Sequence, residues 1–571
     1  MVYTQSYNQK AINRLANMRI YIFRYSNWLT FIYFSIILVS GIPSYTQFFD
    51  QFILPKQLSV YFIAGISALS LSLFLFAYPS FNFSNHEKYL LLLILIWGLV
   101  FLLHRDFQSI LNLFSFVTVY TLCKQIKNKK RTCNLFILGL TVSFCYSIII
   151  VLYQYSKGGT SNGGYDTITG LSLTCTLLLI FLAYYLVNKG YKTYSIMLSS
   201  IALLLSILMA IRTAAIAICC ISLFLLKGKV RLGIVILGVI TIICLSIYKS
   251  DSTSGRFFIY RTSFTLFDSP RHLILGRGAS GFRNSYMRAQ AKELRKASVF
   301  EQNLADNVKH PLNEFLLFAI NYGILPLIVG IILFILFILN GKSDLLSYSL
   351  LIAIFIFATF TYPFQYPITY ITLAFALSRI SFMKCTLRLQ KNIVRFLSLL
   401  YMLISSILIM ESIKLFDWNR DWKKAFTTGI YGMLENSLSE YDRLAESTLI
   451  SDEFYYNWAY MLQKANKKED ARKAIMKCKI IDYDTQMLQG DLSALNGNYT
   501  DALQFYQEVF DMCPNRFMPL YAQFNLYNKL GIIKEKKEIG YLILTKKEKV
   551  PSSITQRIKE NVYSLLYKTN Y

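Results

Sequence analysis

The sequence predicts an all-α membrane protein, a polytopic bundle of about 12–13 transmembrane helices followed by a C-terminal helical-repeat domain. Three observations carry this. Of the 571 residues, 54% are hydrophobic and only 16% charged, with a mean hydropathy of +0.41; a soluble domain carries about 25% charged residues. Apolar runs recur from Trp28 to Met410, many of them near the roughly 20 residues that cross a bilayer. From Lys414 onward the composition turns polar and nearly charge-balanced, with small residues and aromatics spaced as in helical hairpins.

The expected spans, in order, are about 28–46, 57–79, 87–104, 107–124, 133–155, 167–188, 192–210, 213–227, 231–248, 312–339, 345–361, 366–383 and 393–413. The first 27 residues are a polar, basic arm (Lys10, Arg14, Arg19, Arg24). No small-residue cleavage site closely follows the first apolar run, so that run is expected to remain as a signal anchor. The domains expected are this arm, a membrane domain over 28–413 with a large outer loop at 249–311, and a repeat domain over 414–571.

Lys and Arg total 59 against 32 Asp and Glu, a net charge of +27, and the surplus lies in the membrane part. Basic links at Lys124–Arg131, Asn188–Lys192, Lys227–Arg231 and Arg379–Arg395 fall on one side when the spans are counted. The positive-inside rule makes that side cytoplasmic. The 249–311 loop then faces outward and, with an odd span count, so does the C-terminal region. A basic external loop suits an anionic substrate and membrane lipid headgroups. Nucleic-acid binding is not expected, because no basic soluble face with aromatic platforms is present. The ten cysteines show no CxxC or Cys/His ligand spacing, so neither a zinc nor an iron–sulfur site is expected. Cys478 and Cys513 are left open as a pair.

In the C-terminal region, Leu495-x-Gly497-x-Tyr499-x-x-Ala502-x-x-x-Tyr506, ending at Pro514, matches the tetratricopeptide template. Leu530-Gly531 repeats Gly497, and Trp458-Ala459-x-x-Leu462 with Ala471 and Ile475 is a less regular copy. Stacked hairpins expose a concave face; the alternatives are a stable cap and a docking surface for a protein partner or an acceptor.

The residues that could carry chemistry gather around the outer loop. Arg212 opens the run after Ile211, where an interfacial snorkelling arginine is the plain alternative. Arg256 and Arg261, flanking Tyr260, lie five apart on an expected amphipathic helix, and guanidinium groups bind phosphate oxygens in pairs. The plain alternative is a basic helix on anionic headgroups. The glycines of Leu275-Gly276-Arg277-Gly278-Ala279-Ser280-Gly281-Phe282 read as a turn. A helix from about Asn284 to Phe300 is expected along the membrane surface. His310 and Asn313, three residues apart, are expected to share a face of a helix turn at a membrane boundary, where ionisable groups are functional suspects. A neutral imidazole at His310 suits a general base, with Asn313 and Glu314 orienting it or an acceptor. His272, after Pro270, is the competing histidine. No P-loop, GxSxG elbow, HExxH helix or DxD-like pair is present.

Arg212-Thr213-Ala214, Gly255-Arg256…Tyr260, Leu275-Gly276-x-Gly278…Phe282 and His310-x-x-Asn313-x-x-Leu316…Gly323 together resemble the O-antigen ligase/polymerase superfamily, best over about residues 200–340. The resemblance implies inverting, metal-independent and cofactor-free glycan transfer from an undecaprenyl-diphosphate carrier, at the periplasmic face of a bacterial inner membrane. The acceptor would be lipid A–core, a growing polymer or a protein hydroxyl. It assigns the diphosphate to Arg212, Arg256 and Arg261, activation of the acceptor to His310, and support to Tyr260 and Asn313. Two departures bear on the acceptor type: Tyr260 stands where tryptophan is frequent, and Pro311 stands where asparagine usually follows the histidine. Two other classes of function stand beside it: a polysaccharide transporter, although the sequence shows none of the internal pseudo-repeats such proteins often carry, and a non-catalytic membrane anchor for a repeat-domain scaffold.

Overall fold

Apolar runs without an internal partner for their backbone groups have one solution in lipid, the helix. The computed structural model describes residues 27–79, 82–84, 87–126, 128–158, 162–208, 211–225, 228–248, 250–339, 344–380, 386–447 and 451–567. The basic arm therefore lies, apart from its last residue, outside the described residues. The first nine helices are α1 (Asn27–Gly41), α2 (Leu54–Ala77), α3 (Glu87–Leu103), α4 (Phe107–Gln125), α5 (Lys129–Ser156), α6 (Ile168–Asn188), α7 (Lys192–Leu208), α8 (Arg212–Leu225) and α9 (Gly228–Tyr248). Five shorter helices follow: α10 (Ser250–Phe264), α11 (Pro270–Leu275), α12 (Gly281–Leu294), α13 (Val299–Leu304) and α14 (Glu314–Tyr322). Then come α15 (Ile324–Leu339), α16 (Leu345–Phe360), α17 (Pro367–Ser378) and the 40-residue α18 (Lys391–Ile430).

Among the described residues, α2, α5, α6 and α18 are long and apolar enough to cross a membrane, and a fifth span is counted if the end of α9 and α10 are taken together. That is fewer than the 12–13 expected. One reason is length. At 1.5 Å per residue, helices such as α16 and α17, with 16 and 12 residues, fall short of a hydrocarbon core of about 30 Å. Two expected elements are also corrected. The run 28–46 leaves the helix at Gly41. The run 312–339 is broken at Gly323 into α14 and α15. The position 414, expected as a domain boundary, lies inside the continuous α18, as does the division between compact units at Asp417.

The chain divides into two compact units. One comprises Met1–Ile247 and Ile328–Asp417; the other comprises Tyr248–Leu327 and Trp418–Tyr571. In the first, small residues allow close helix approach, as membrane packing requires. A Cβ on Gly170 would lie 2.7 Å from the Tyr366 ring, and one on Gly65 2.6 Å from Ile409. The ends of these helices sort into two polar groups. In one, β1 (Asn82–Ser84) pairs antiparallel with β2 (Thr386–Arg388). Beside it, Glu87 accepts from the Ser84 amide and the Tyr120 hydroxyl and pairs with Lys124, and Arg379 pairs with Asp344. In the other, Lys56 is fully buried and donates to the carbonyls of Pro43 (3.0 Å), Phe52 (2.9 Å) and Gly164 (2.7 Å). Nearby, Gln57 donates to the Gln365 carbonyl at 3.0 Å and Tyr366 to Asp166 at 2.7 Å. The loops after alternate helices thus meet one another, as an up-and-down bundle requires.

The second unit joins the outer-loop helices to the C-terminal helices. These are α19 (Leu434–Leu444), α20 (Asp452–Lys464), α21 (Lys468–Lys477), α22 (Tyr483–Leu495), α23 (Tyr499–Met512), α24 (Met518–Leu530), α25 (Ile533–Thr545) and α26 (Ser553–Tyr567). α20 packs on α21, α22 on α23 and α24 on α25. The three hairpin turns share one geometry. Asn466, Gly497 and Gly531 take φ of 57°, 82° and 70°. In each turn the next amide reaches back to a carbonyl five residues earlier: Lys467 to Leu462, Asn498 to Ser493 and Ile532 to Tyr527. This left-handed cap satisfies carbonyls that a helix end leaves open. Asn466 takes the position that glycine fills in the other two turns, which is why the first copy looks irregular in sequence. Cys478 and Cys513 are free thiols.

The loop and the hairpins share a core. Leu266, Phe282, Tyr286, Met287, Ala291 and Ile320 pack with Tyr483, Val509, Met512 and Cys513. This corrects the surface helix expected over 284–300. The apolar stripe of α12 is buried against protein, the helix ends at Leu294, and α13 starts afresh with a capping box of Ser298 and Glu301.

Candidate functional site

The two halves of the loop motif, far apart in sequence, interlock in the second unit. α11 begins at Ser269, whose hydroxyl accepts from the His272 amide, and ends at Gly276 with φ 74°. The chain then wraps the end of α14: the Arg277 amide donates to the Ile320 carbonyl at 2.9 Å and the Gly278 amide to that of Asn321 at 2.8 Å. Buried Asn321 returns the contact, donating to the Ala279 carbonyl at 2.8 Å and accepting from the Phe282 amide at 3.1 Å. Gly323, at φ 95°, lies against the Ile274 carbonyl so closely that a Cβ would overlap it. The glycine-rich stretch is therefore a clamp on α14.

His310 does not share a helix turn with Asn313. Residues 305–311 are non-helical, and Asn313 is the N-cap of α14, its side chain accepting from the Leu316 amide at 2.9 Å. The cap satisfies one of the open amides of the first turn. Asn313 thus ends the segment that carries His310, and that role uses its side-chain oxygen. Between them Leu312 has φ 55°, a left-handed conformation costing about 1–2 kcal/mol for a non-glycine residue. The Tyr260 hydroxyl donates to the Leu312 carbonyl at 3.2 Å and supports that turn. Tyr260 thereby brings α10 to the histidine segment.

Arg256 and Arg261 separate on α10, because five residues turn a helix by about 140° past a full turn. Arg256 shares the Tyr260 face, and its positive charge acts on the Tyr260 hydroxyl. Arg261 is engaged elsewhere: it pairs with Glu301 at 2.9 Å, approaches Glu293 at 4.0 Å and lies over the Phe258 ring. A diphosphate would have to displace those carboxylates to reach it. Arg212 belongs to the first unit, as the first residue of α8.

Arg283, which the sequence pattern passes over, is one of two cations that bear on His310. It opens α12 and pairs with Glu453 at the start of α20. Burial, and then the positive charges of Arg283 and Lys309, pull the His310 imidazole down to about 4. The ring is therefore neutral at neutral pH. His272, the competing histidine, bonds through Nδ1 to Asp268 at 2.6 Å, and Asp268 also pairs with Arg277 at 2.6 Å. The His272 hydrogen bond comes first among the causes holding this carboxyl below its usual range.

The neutral His310 has a stability consequence with a definite sign. The unfolded chain takes up a proton near pH 6.5, while the folded ring resists it until about pH 4. Stability is therefore full above about pH 6.5 and falls as the pH drops toward 4, by up to about 3 kcal/mol. The chain has four histidines, so ring NMR signals of the labelled full-length protein, assigned through His310→Gln, can follow this titration. The expected midpoint for His310 is near 4; one at 6.5 contradicts this account.

No family model matches the chain, and no curated protein sequence matches it.

Proposed function

We propose that the chain is a membrane glycosyltransferase of the O-antigen ligase/polymerase type, which moves a glycan from an undecaprenyl-diphosphate donor to an acceptor hydroxyl. The observation that carries this reading is the interlocked loop. Its glycine clamp and the His310 segment form one folded body, with a neutral imidazole beside Arg283 and with Arg256 and Tyr260 adjoining the same turn. In the proposed step the acceptor oxygen attacks the sugar C1 and its proton passes to His310. The C1–O bond to phosphate breaks, and the electron pair leaves with the undecaprenyl diphosphate. Arg256 stabilises the charge on the leaving group. A base that titrates near 4 is a weak proton acceptor. The incoming diphosphate offsets the cations that act on the ring and so raises its proton affinity. On this reading the loop and the C-terminal hairpins, read as tetratricopeptide-like, face the periplasm, and the basic loops face the cytoplasm. The acceptor is lipid A–core, a growing polymer or a protein.

The test is incubation of purified protein with undecaprenyl-diphosphate glycan and each acceptor class, without added metal. Glycosylated acceptor and free undecaprenyl diphosphate are expected in equal amounts. Movement of the lipid-linked glycan across a vesicle membrane with no covalent product would refute the reading in favour of a transporter.

A further inference from the structure

The segment that carries His310 has no regular structure of its own. Residues 305–313 lie between α13 and α14 without a helix or strand. At its far end the segment is fixed by the Tyr260 bond to the Leu312 carbonyl and by the Asn313 cap. Its near end is held mainly from the C-terminal hairpins. Asn515, in the turn between α23 and α24, donates its side-chain amide to the carbonyls of Ala305 (2.6 Å) and Asn303 (3.1 Å). Arg516 pairs with Asp306 at 2.9 Å, its guanidinium lying 4.3 Å from the centre of the Tyr483 ring. Asn307 donates to Asp484 at 3.2 Å. Gln290, fully buried, bridges the Asp306 carbonyl (2.9 Å) and the Met512 carbonyl (2.8 Å).

These anchors are unequal. The Arg516–Asp306 pair is largely exposed, at 38% and 66% of side-chain surface, and exposed pairs contribute little. Asn515 serves two carbonyls at once, and Ala305 beside it is buried, so removing the amide leaves acceptors without a donor. Only a few extended residues separate this anchor from His310, and the chain between them has little slack.

We propose that the C-terminal hairpins are an integral part of the imidazole site, with Asn515 a positioning residue that holds the His310 segment in register. The proposal rests on the reading of His310 as the base. The charged groups that act on the ring include Arg283, paired with Glu453, and Lys309. A segment released from Asn515 would carry the imidazole out of that setting and away from the acceptor. Displacement of a catalytic group by about 1 Å costs up to roughly 100-fold in rate.

The experiment uses the full-length protein with Asn515→Ala and the isosteric Asn515→Asp, which keeps the shape but removes the donor. Two readouts are taken: steady-state transfer, and the ring titration of His310 with the His272 ring signal as a reference for the fold. The expected result is a fall in kcat of about 10- to 100-fold with KM for the donor within about twofold. The His310 midpoint should move up toward its ordinary value while the His272 ring signal stays in place, since His272 reports the fold of the same unit. An unmoved His310 midpoint overturns the proposal. So does loss of the His272 signal in both variants, because Asn515 would then be a general structural residue. A displaced His310 midpoint together with full transfer by His310→Ala would leave the positioning intact and sink the base assignment instead.

Discussion

If the chain is the proposed transferase, replacing His310 with alanine is expected to lower glycan transfer by about 100- to 10,000-fold while donor binding stays within about twofold. The range is what a positioned general base contributes. Binding should persist because the proposed diphosphate ligand Arg256 is untouched and the substitution adds no charge. The substitution also removes a buried ring flanked by cations, so it should not destabilise the unit in the way that loss of an ion-pair partner would. The measurement is transfer by purified variant beside equilibrium binding of undecaprenyl-diphosphate glycan. Normal transfer by His310→Ala would refute the assignment outright. An equal loss of transfer and of donor binding would move His310 from base to ligand.

Gly323→Ala should be among the most damaging single substitutions in the loop, at more than about 4 kcal/mol. Two costs add. The residue has φ 95°, which a side chain rarely tolerates. The new Cβ would also overlap the Ile274 carbonyl and press on the Leu275 amide. Both neighbours are backbone, held by α11 and by the return contacts of Arg277 and Gly278, so no flexible side chain can give way. The clamp would open, and α14 would lose the anchor that orders the His310 segment. Gly497→Ala provides the comparison: its φ is 82°, but nothing lies within 4 Å of its Cβ position, so only the conformational cost applies, about 1–2 kcal/mol. Thermal unfolding of the two variants in detergent should separate them by several degrees. Equal midpoints would contradict the clamp.

Much of the helical pattern was legible in the chain because hydrophobic length and polar interruption decide where a membrane-type helix can form. The starts of α3, α6 and α16 fall within a residue or two of the apolar runs that predict them. The hairpin turns at Gly497 and Gly531 were likewise readable, since a left-handed cap favours glycine. Asn466 was harder to see, because the same backbone geometry there is filled by a less characteristic residue. Spacing misled at His310 and Asn313. Three residues apart suits one helix face, but Pro311 lies between them and disfavours helix in the residue before it, and the Asn313 side chain serves the next helix as its cap. Spacing also misjudged α12, whose apolar stripe fits a lipid surface as well as it fits a protein core.

What the sequence determined by itself is local: helix content, the apolar runs, the turn glycines and the set of basic and imidazole groups around one loop. Each follows from the residues and their near neighbours in the chain. Which groups meet was decided only by tertiary structure. Arg261 is taken up by Glu301, the charge of Arg283 reaches His310, and Asn515 reaches back across more than 200 residues to the carbonyls before the histidine. Hydrogen bonds and ion pairs form between whatever polar groups packing brings within about 3 Å of one another, and periodicity along a chain carries no record of that distance.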